Sequence, residues 1–338
     1  CLKMARQHAL ATGHPERWQV ISRQPSYHGS TLGALAVTGY GPLNDPFEPM
    51  VRTMPKIPAP TCYLDRDESS DEERGLRYAN MLRDKIEEVG AASVLAFIAE
   101  PIGGASTGAL VPPDSYFPRI REICDEYGIL LILDEVMTGV GRTGTFLAAE
   151  HWQLRPDIVA MAKGFGAGYV PLGAMVTRDD IVEPVLDAGG FQHGYTYAGN
   201  PIACAAGVAV VDEIIERGLM RNTIDVGAAL KSRLEALMSR FPFIGDVRGR
   251  GLLLAFELVA DRGTMKPLPK ELNAYLRLVE LAYERGLIIY SRRTRGGLEG
   301  DHFMVCPPMI TTMTQVEEII DLLVDSLAAF AAEAGLPA

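Results

Sequence analysis

The stretch 130-LLILDEVMTGVGRTG-144 decides how this chain is read. From Ile129 to Leu133 every residue is apolar; the run then stops at two acids, Asp134 and Glu135, and a glycine-rich loop. An apolar run of this length between turn signals predicts a strand buried on both faces, as in a parallel sheet covered by helices. Ligands of such sheets bind beyond the carboxyl ends of the strands, so Asp134 stands where chemistry is expected.

The flanking sequence repeats the pattern. "WQVISRQ" from Trp18, "SVLAFIAEPI" from Ser93, "PDIVAMAKG" from Pro156 and "LGAMVTR" from Leu172 read as further strands. Between them, "SDEERGLRYANMLRDKIEEVG" from Ser70 and "PPDSYFPRIREICDEYG" from Pro112 read as helices, the second entered through prolines and stopped by Gly128. After "NPIACAAGVAVVDEIIERG" the pattern changes: helices alternate with strands that read as hairpin neighbours, and a last helix runs to about Ala332. The expectation is an α/β chain with a large domain over 1–211, built on a mainly parallel sheet flanked by helices, and a smaller α+β domain over 212–338.

Bulk properties narrow the class. At 338 residues, 48% hydrophobic and 22% charged, the composition is that of an ordinary globular protein. The net charge of −11 argues against nucleic acid or an anionic membrane as a partner. No apolar run approaches the ~20 residues that span a bilayer. Five scattered cysteines without a CxxC pair, and histidines outside metal-ligand spacings, fit reduced thiols in a cytoplasmic protein with no metal. The opening "CLKMARQHALATG" has neither an initiator methionine nor a signal-peptide core and reads as the middle of an amphipathic helix, so an N-terminal part is expected to be missing.

Two residues carry the chemistry. Lys163 ends an apolar strand and is followed by glycines; partial burial there would depress its pKa, as an amine nucleophile requires. Taken alone, an exposed lysine in a flexible turn explains it equally well. Asp134 alone could cap a helix. An aspartate and a lysine at the ends of strands in one sheet together meet a specific need. Pyridoxal phosphate binds a lysine as an aldimine and needs a carboxylate to keep its ring nitrogen protonated.

With both residues in place, "ILDEVMTGVGRTG", "PDIVAMAKGFGAGYVPLGAM" and "HGYTYAGNPIACAA" together resemble the class III pyridoxal-phosphate aminotransferases of fold type I. "EPIGGASTGALVPP", "SYHGSTLGALAVTGY" and "VRGRGLLLAFELV" extend the likeness, in the family's order, from Cys1 to the final helix. The resemblance implies a sheet of the seven-stranded type and a homodimer with active sites at the subunit interface. It matches Lys163 to the aldimine lysine and Asp134 to the partner of the ring nitrogen. Val136 matches the apolar residue on one face of the ring and Tyr27 the aromatic on the other. Glu100 matches a glutamate near substrate and cofactor, with a strand-end acid paired to an arginine as its structural alternative. His28 is either a cofactor-side residue or a support for its loop. Thr196 matches the threonine that reaches the neighbouring subunit's phosphate, a turn threonine being the alternative. Glu135 is assigned to structure, and Arg142 stays open between structural, interfacial and anion-binding roles.

Two departures stand out. Met137 follows "DEV" where many relatives carry glutamine. The Gly-Ser phosphate loop that the family places before the first helix has no counterpart here, so the chain as given is expected to bind cofactor weakly. For the substrate carboxylate, Arg292, Arg293 and Arg295 in "YSRRTRGG" are candidates, read as a loop over the site, with a solvated basic loop as the alternative. The leading expectation is transfer of an amino group from an amine or ω-amino acid to a keto acid, pyruvate or 2-oxoglutarate. The same scaffold hosts aminomutases and decarboxylases, and a silent homologue serving only as a dimerisation partner is a third reading. No GxGxxG follows an early strand, which counts against a nicotinamide enzyme.

Overall fold

The computed structural model describes residues 1–337. Eleven strands form two sheets: β1 (Gln19–Gln24), β2 (Lys56–Pro58), β3 (Val94–Ala99), β4 (Leu130–Asp134), β5 (Ile158–Met161), β6 (Ala174–Thr177), β7 (Ile244–Arg250), β8 (Leu253–Asp261), β9 (Lys266–Pro267), β10 (Tyr290–Arg295) and β11 (Glu299–Val305). The first sheet has the order β2-β1-β3-β4-β5-β6. Five strands run parallel and β6 closes the edge antiparallel to β5. Among the described residues this sheet has six strands rather than the seven implied by resemblance.

The first sheet is covered on both faces, as its apolar strands require. Along β3 and β4 alternate residues go to opposite sides. Phe97, Ala99, Leu131 and Leu133 pack with the helices Asp71–Val89 and Tyr116–Tyr127, while Ala96, Ile98 and Ile132 pack with Leu2–Ala11 and Asp179–Asp187. Each large side chain fully buried this way contributes about 1.5–3 kcal/mol. Helix ends follow from local chemistry. Ser70 and Glu73 form a reciprocal capping box at the start of Asp71–Val89. The helix Tyr116–Tyr127 stops at Gly128, which takes the left-handed conformation.

The second sheet, β10-β11-β8-β7 with β9 beside β8, is antiparallel. Phe256, Phe303 and Val305 face the helices Leu219–Arg240, Ala274–Glu284 and Met313–Ala334, in a core that begins at Val226. Leu253, Ala255 and Met304 turn the other way and join the core of the first unit. Val211, the expected boundary, lies within the helix Pro201–Glu216, and Gly218 makes the left-handed turn into the next helix. No helix among the described residues is long and apolar enough to cross a membrane.

Candidate active site at the carboxyl edge of the parallel sheet

Because β3, β4 and β5 are adjacent and parallel, the residues at and just beyond their carboxyl ends gather on one edge. Glu100 comes directly after β3, Asp134 closes β4 and Lys163 lies just past β5. Tyr27 and His28 lie just beyond the end of β1. All five line one cavity of about 750 Å3, together with Val136.

Asp134 is held from two sides. The His28 Nδ1–H donates to its Oδ2 at 2.9 Å, and the Val136 amide donates to Oδ1 at 3.1 Å. The His28 ring is buried, and its Nε2 lies 3.9 Å from Glu100 Oε2 without a hydrogen-bond partner. Glu100 accepts from the Tyr27 amide at 3.1 Å and pairs with Arg23 at 3.1 Å. Arg23 also donates to the Glu100 carbonyl at 2.5 Å. The arginine-paired alternative for Glu100 and its position in the cavity are thus both present. Arg23 itself, only 2% exposed, is not among the predicted residues; the run "QVISRQ" is polar at four of its six positions and does not single it out. Arg23 rigidifies the carboxylate row, since a buried ion pair with further hydrogen bonds has little freedom to rearrange.

Lys163 opens a short turn with φ +48°, a left-handed conformation that costs a non-glycine residue about 1–2 kcal/mol. Its side chain borders the open cleft, yet desolvation by surrounding protein lowers its pKa from the ordinary lysine value, opposed by the charges of Asp134 and Glu100. Beyond Lys163 a second cavity of about 880 Å3 begins, lined mainly by apolar groups such as Val140, Val210, Met309 and Ile310.

Glu135 points elsewhere. It is fully buried and accepts from the Ala148 and Ala149 amides at 3.1 and 2.8 Å and from the Thr138 hydroxyl. Burial raises its pKa despite these donors. Arg142 donates to the carbonyls of Leu252 and Pro307 at 3.3 and 2.6 Å, tying the glycine-rich loop to the second sheet. Met137 lines the site and packs on Gly104, where a Cβ would come 2.7 Å from its sulfur.

The three arginines separate. The segment read as a loop is strand β10, whose alternation sends neighbours to different places. Arg292 lines the cavity, stacked over the Tyr290 ring at 4.7 Å, and makes no ion pair among the described residues. Arg293 pairs with buried Asp301 at 3.1 Å and lies over Tyr275. Arg295 donates to the Met265 carbonyl. Thr196 sits in the exposed run 192–199, outside both cavities, so a single chain does not bring it to Lys163.

With this geometry in place, the family description "Aminotransferase class-III" matches residues 1–327. The chain belongs to the class III aminotransferases. Among the relatives of this aminotransferase is the uncharacterized aminotransferase YodT of Bacillus subtilis, 37% identical over 332 residues, covering 97% of this chain and 74% of the relative. Another is the putrescine–pyruvate aminotransferase of Pseudomonas aeruginosa, 35% identical over 322 residues, covering 95% and 68%. Among solved structures, an amine transaminase from an uncultivated Pseudomonas species, in its PLP-bound form, superposes with a TM-score of 0.89 at 36% identity, covering 97% of this chain and 73% of that one.

Class III aminotransferases depend on pyridoxal phosphate, and the residues present fit that group. A buried carboxylate oriented by His28 and an amine of lowered pKa open onto one cavity, with Val136 and Tyr27 also in its walls. The donor set is the one a protonated pyridine nitrogen and an aldehyde require.

Proposed function

We propose that this aminotransferase takes an amino group from an amine or ω-amino acid and passes it to pyruvate or 2-oxoglutarate. The observation that carries the reading is the shared cavity of Lys163 and the His28-oriented Asp134. When bound, pyridoxal phosphate supplies an electron-withdrawing ring that makes the substrate carbon acidic. Lys163 would hold the cofactor's aldehyde group, and its Nζ, of lowered pKa, is placed to take and return a proton as general base. Asp134 would bind the ring nitrogen's proton, and His28 keeps that carboxylate in place. Glu100 holds the cavity wall beside Tyr27, and Val136 and Tyr27 would cover the ring. Arg292, free of a carboxylate partner, receives the substrate carboxylate as a charge-assisted pair.

Thr196 fits a role across a subunit boundary. We infer a homodimer in which it reaches the phosphate of the other copy's cofactor. Support comes from the apolar surface around it: Tyr169, Tyr197, Ile202 and Val208 are each more than half exposed in the single chain. A division into two domains meeting between Val211 and Gly218, and a cytoplasmic location suited to five free cysteines, complete the reading. The test is a screen of amine donors against pyruvate and 2-oxoglutarate with added cofactor. Stoichiometric loss of amine and keto acid is expected; no turnover of any donor with either acceptor would overturn it.

A further inference from the structure

The antiparallel sheet carries a polar row on its face toward the large unit. Across the strands the paired positions are Arg292 on β10, His302 on β11, Glu257 on β8 and Asp246 on β7, so their side chains stand on one face. Arg248, two residues beyond Asp246, shares that face. Arg292 opens on the cavity with Lys163, whereas His302, Glu257 and Arg248 are buried.

Arg248 reaches beyond its own sheet. It pairs with Asp246 at 2.8 Å and Glu257 at 2.9 Å. Its Nε donates to the Gly108 carbonyl at 2.7 Å and its Nη2 to that of Thr107 at 3.1 Å. The guanidinium lies 4.2 Å over the Tyr63 ring, whose hydroxyl donates to Glu257 at 2.8 Å. Thr107 and Gly108 are the tip of a loop over residues 103–110, and the loop's base, Gly104 to Ser106, lines the cavity. Among the described residues no other side chain bonds to this tip, and the Ser106 and Thr107 hydroxyls are buried without partners. Gly108, with φ +61°, allows the approach: a Cβ there would lie 2.6 Å from the His302 ring and 2.8 Å from Arg248.

We propose that Arg248 is a positioning residue for the substrate cavity, fixing loop 103–110 to the sheet face that carries Arg292. The loop wall and the arginine that receives the carboxylate then keep a constant separation. This rests on the reading that the cavity binds the amine substrate. The contact governs how substrate fits and leaves the proton transfer at Lys163 untouched.

Removing Arg248 alone would leave Glu257 buried with the Tyr63 hydroxyl but no cationic partner, so two different variants test the idea. One joins Arg248→Met with Glu257→Gln; Asp246 is partly exposed and keeps water as a partner. The other, Gly108→Ala, keeps every charged group of the cluster, drives a methyl against His302 and the Arg248 guanidinium so that the loop tip must move off them, and guards against misfolding of the first. Hydrogen exchange of amides 103–110 is read in the cofactor-free protein, and steady-state kinetics in the holoenzyme. Both variants are expected to exchange faster in this loop and to raise the amine KM by about ten- to a hundred-fold, with kcat changed by no more than about two-fold. Unchanged exchange overturns the proposal, as does faster exchange with an unchanged KM, or a loss carried by kcat alone. A wild-type protein that turns over no amine overturns the functional reading instead, and the exchange comparison tells the two failures apart.

Discussion

The two sheets place their functional side chains by different rules. In the parallel sheet they sit at or beyond strand ends, so Glu100, Asp134 and Lys163 meet because three strands point the same way. In the antiparallel sheet they stand on a face, so Arg292, His302 and Glu257 meet because three strands are paired in register. Chain direction sets the first arrangement and two-residue alternation the second. Adjacent residues therefore part company in both, but only the strand end announces which one is used.

Lys163→Ala breaks the first arrangement most severely. Removing both the cofactor-holding amine and the base is expected to cut turnover by at least about 10⁴-fold; a kcat within about ten-fold of wild type would refute the assignment. The Lys163 amine also reports on its neighbours. Asp134 and Glu100 oppose the burial that lowers its pKa, so Glu100→Gln removes a charge that favours the protonated form. The acidic limb of the kcat profile should then move to lower pH.

Asp134 and Glu135 sharpen the contrast between adjacent acids. Asp134→Asn is expected to lower kcat by on the order of 10²–10³-fold with little change in the unfolding midpoint. Glu135→Gln should do the reverse. Its carboxylate accepts from two amides and a hydroxyl, and the amide's NH2 cannot, so about 2–3 kcal/mol of stability goes while activity per folded molecule stays. Denaturant titration beside kinetics separates the two, and equal losses of activity would remove the distinction.

Why the first sheet was legible comes down to the same physics. "ILLILD" and "IVAMAK" are apolar runs with abrupt polar ends, and a polar group at the end of a buried parallel strand has few structural uses. Strands β1, β3, β4, β5 and β6 and the helices Asp71–Val89 and Tyr116–Tyr127 lie where periodicity puts them. Arg23 was invisible because its partner Glu100 is distant in sequence and only the β1–β3 pairing joins them. Arg292, Arg293 and Arg295 read as one basic loop because composition carries no register; pairing of β10 with β11, itself paired to β8, decides which faces the cavity.

That register supplies the next test. Arg292→Ala should raise the KM for the keto acid by about ten- to a hundred-fold, the loss of one charge-assisted contact. Arg293→Ala should leave that KM nearly unchanged and lower the unfolding midpoint, because buried Asp301 loses its ion-pair partner at a cost of about 3 kcal/mol. Equal effects on KM would mean that the face does not sort these neighbours.

The smallest expected effect comes from the buried end of the same row. His302 is fully buried, accepts or donates through Nδ1 to Thr294 at 2.9 Å, and is pushed down to about 3 by burial first and the Arg248 charge second. The unfolded chain protonates this ring near pH ~6.5, so between that value and about 3 the unfolded state binds more protons than the folded one. Stability therefore falls as pH drops through this window, and the group adds no pH dependence above it. Its share of the slope is about 1.4 kcal/mol per pH unit at the steepest. His302→Asn should weaken the fold at neutral pH through lost packing and yet flatten the stability curve between pH ~6 and ~4 by close to one proton. An identical acid slope in variant and wild type would mean that the ring is not held neutral. The row would then not separate a buried, silent histidine from the exposed arginine beside it.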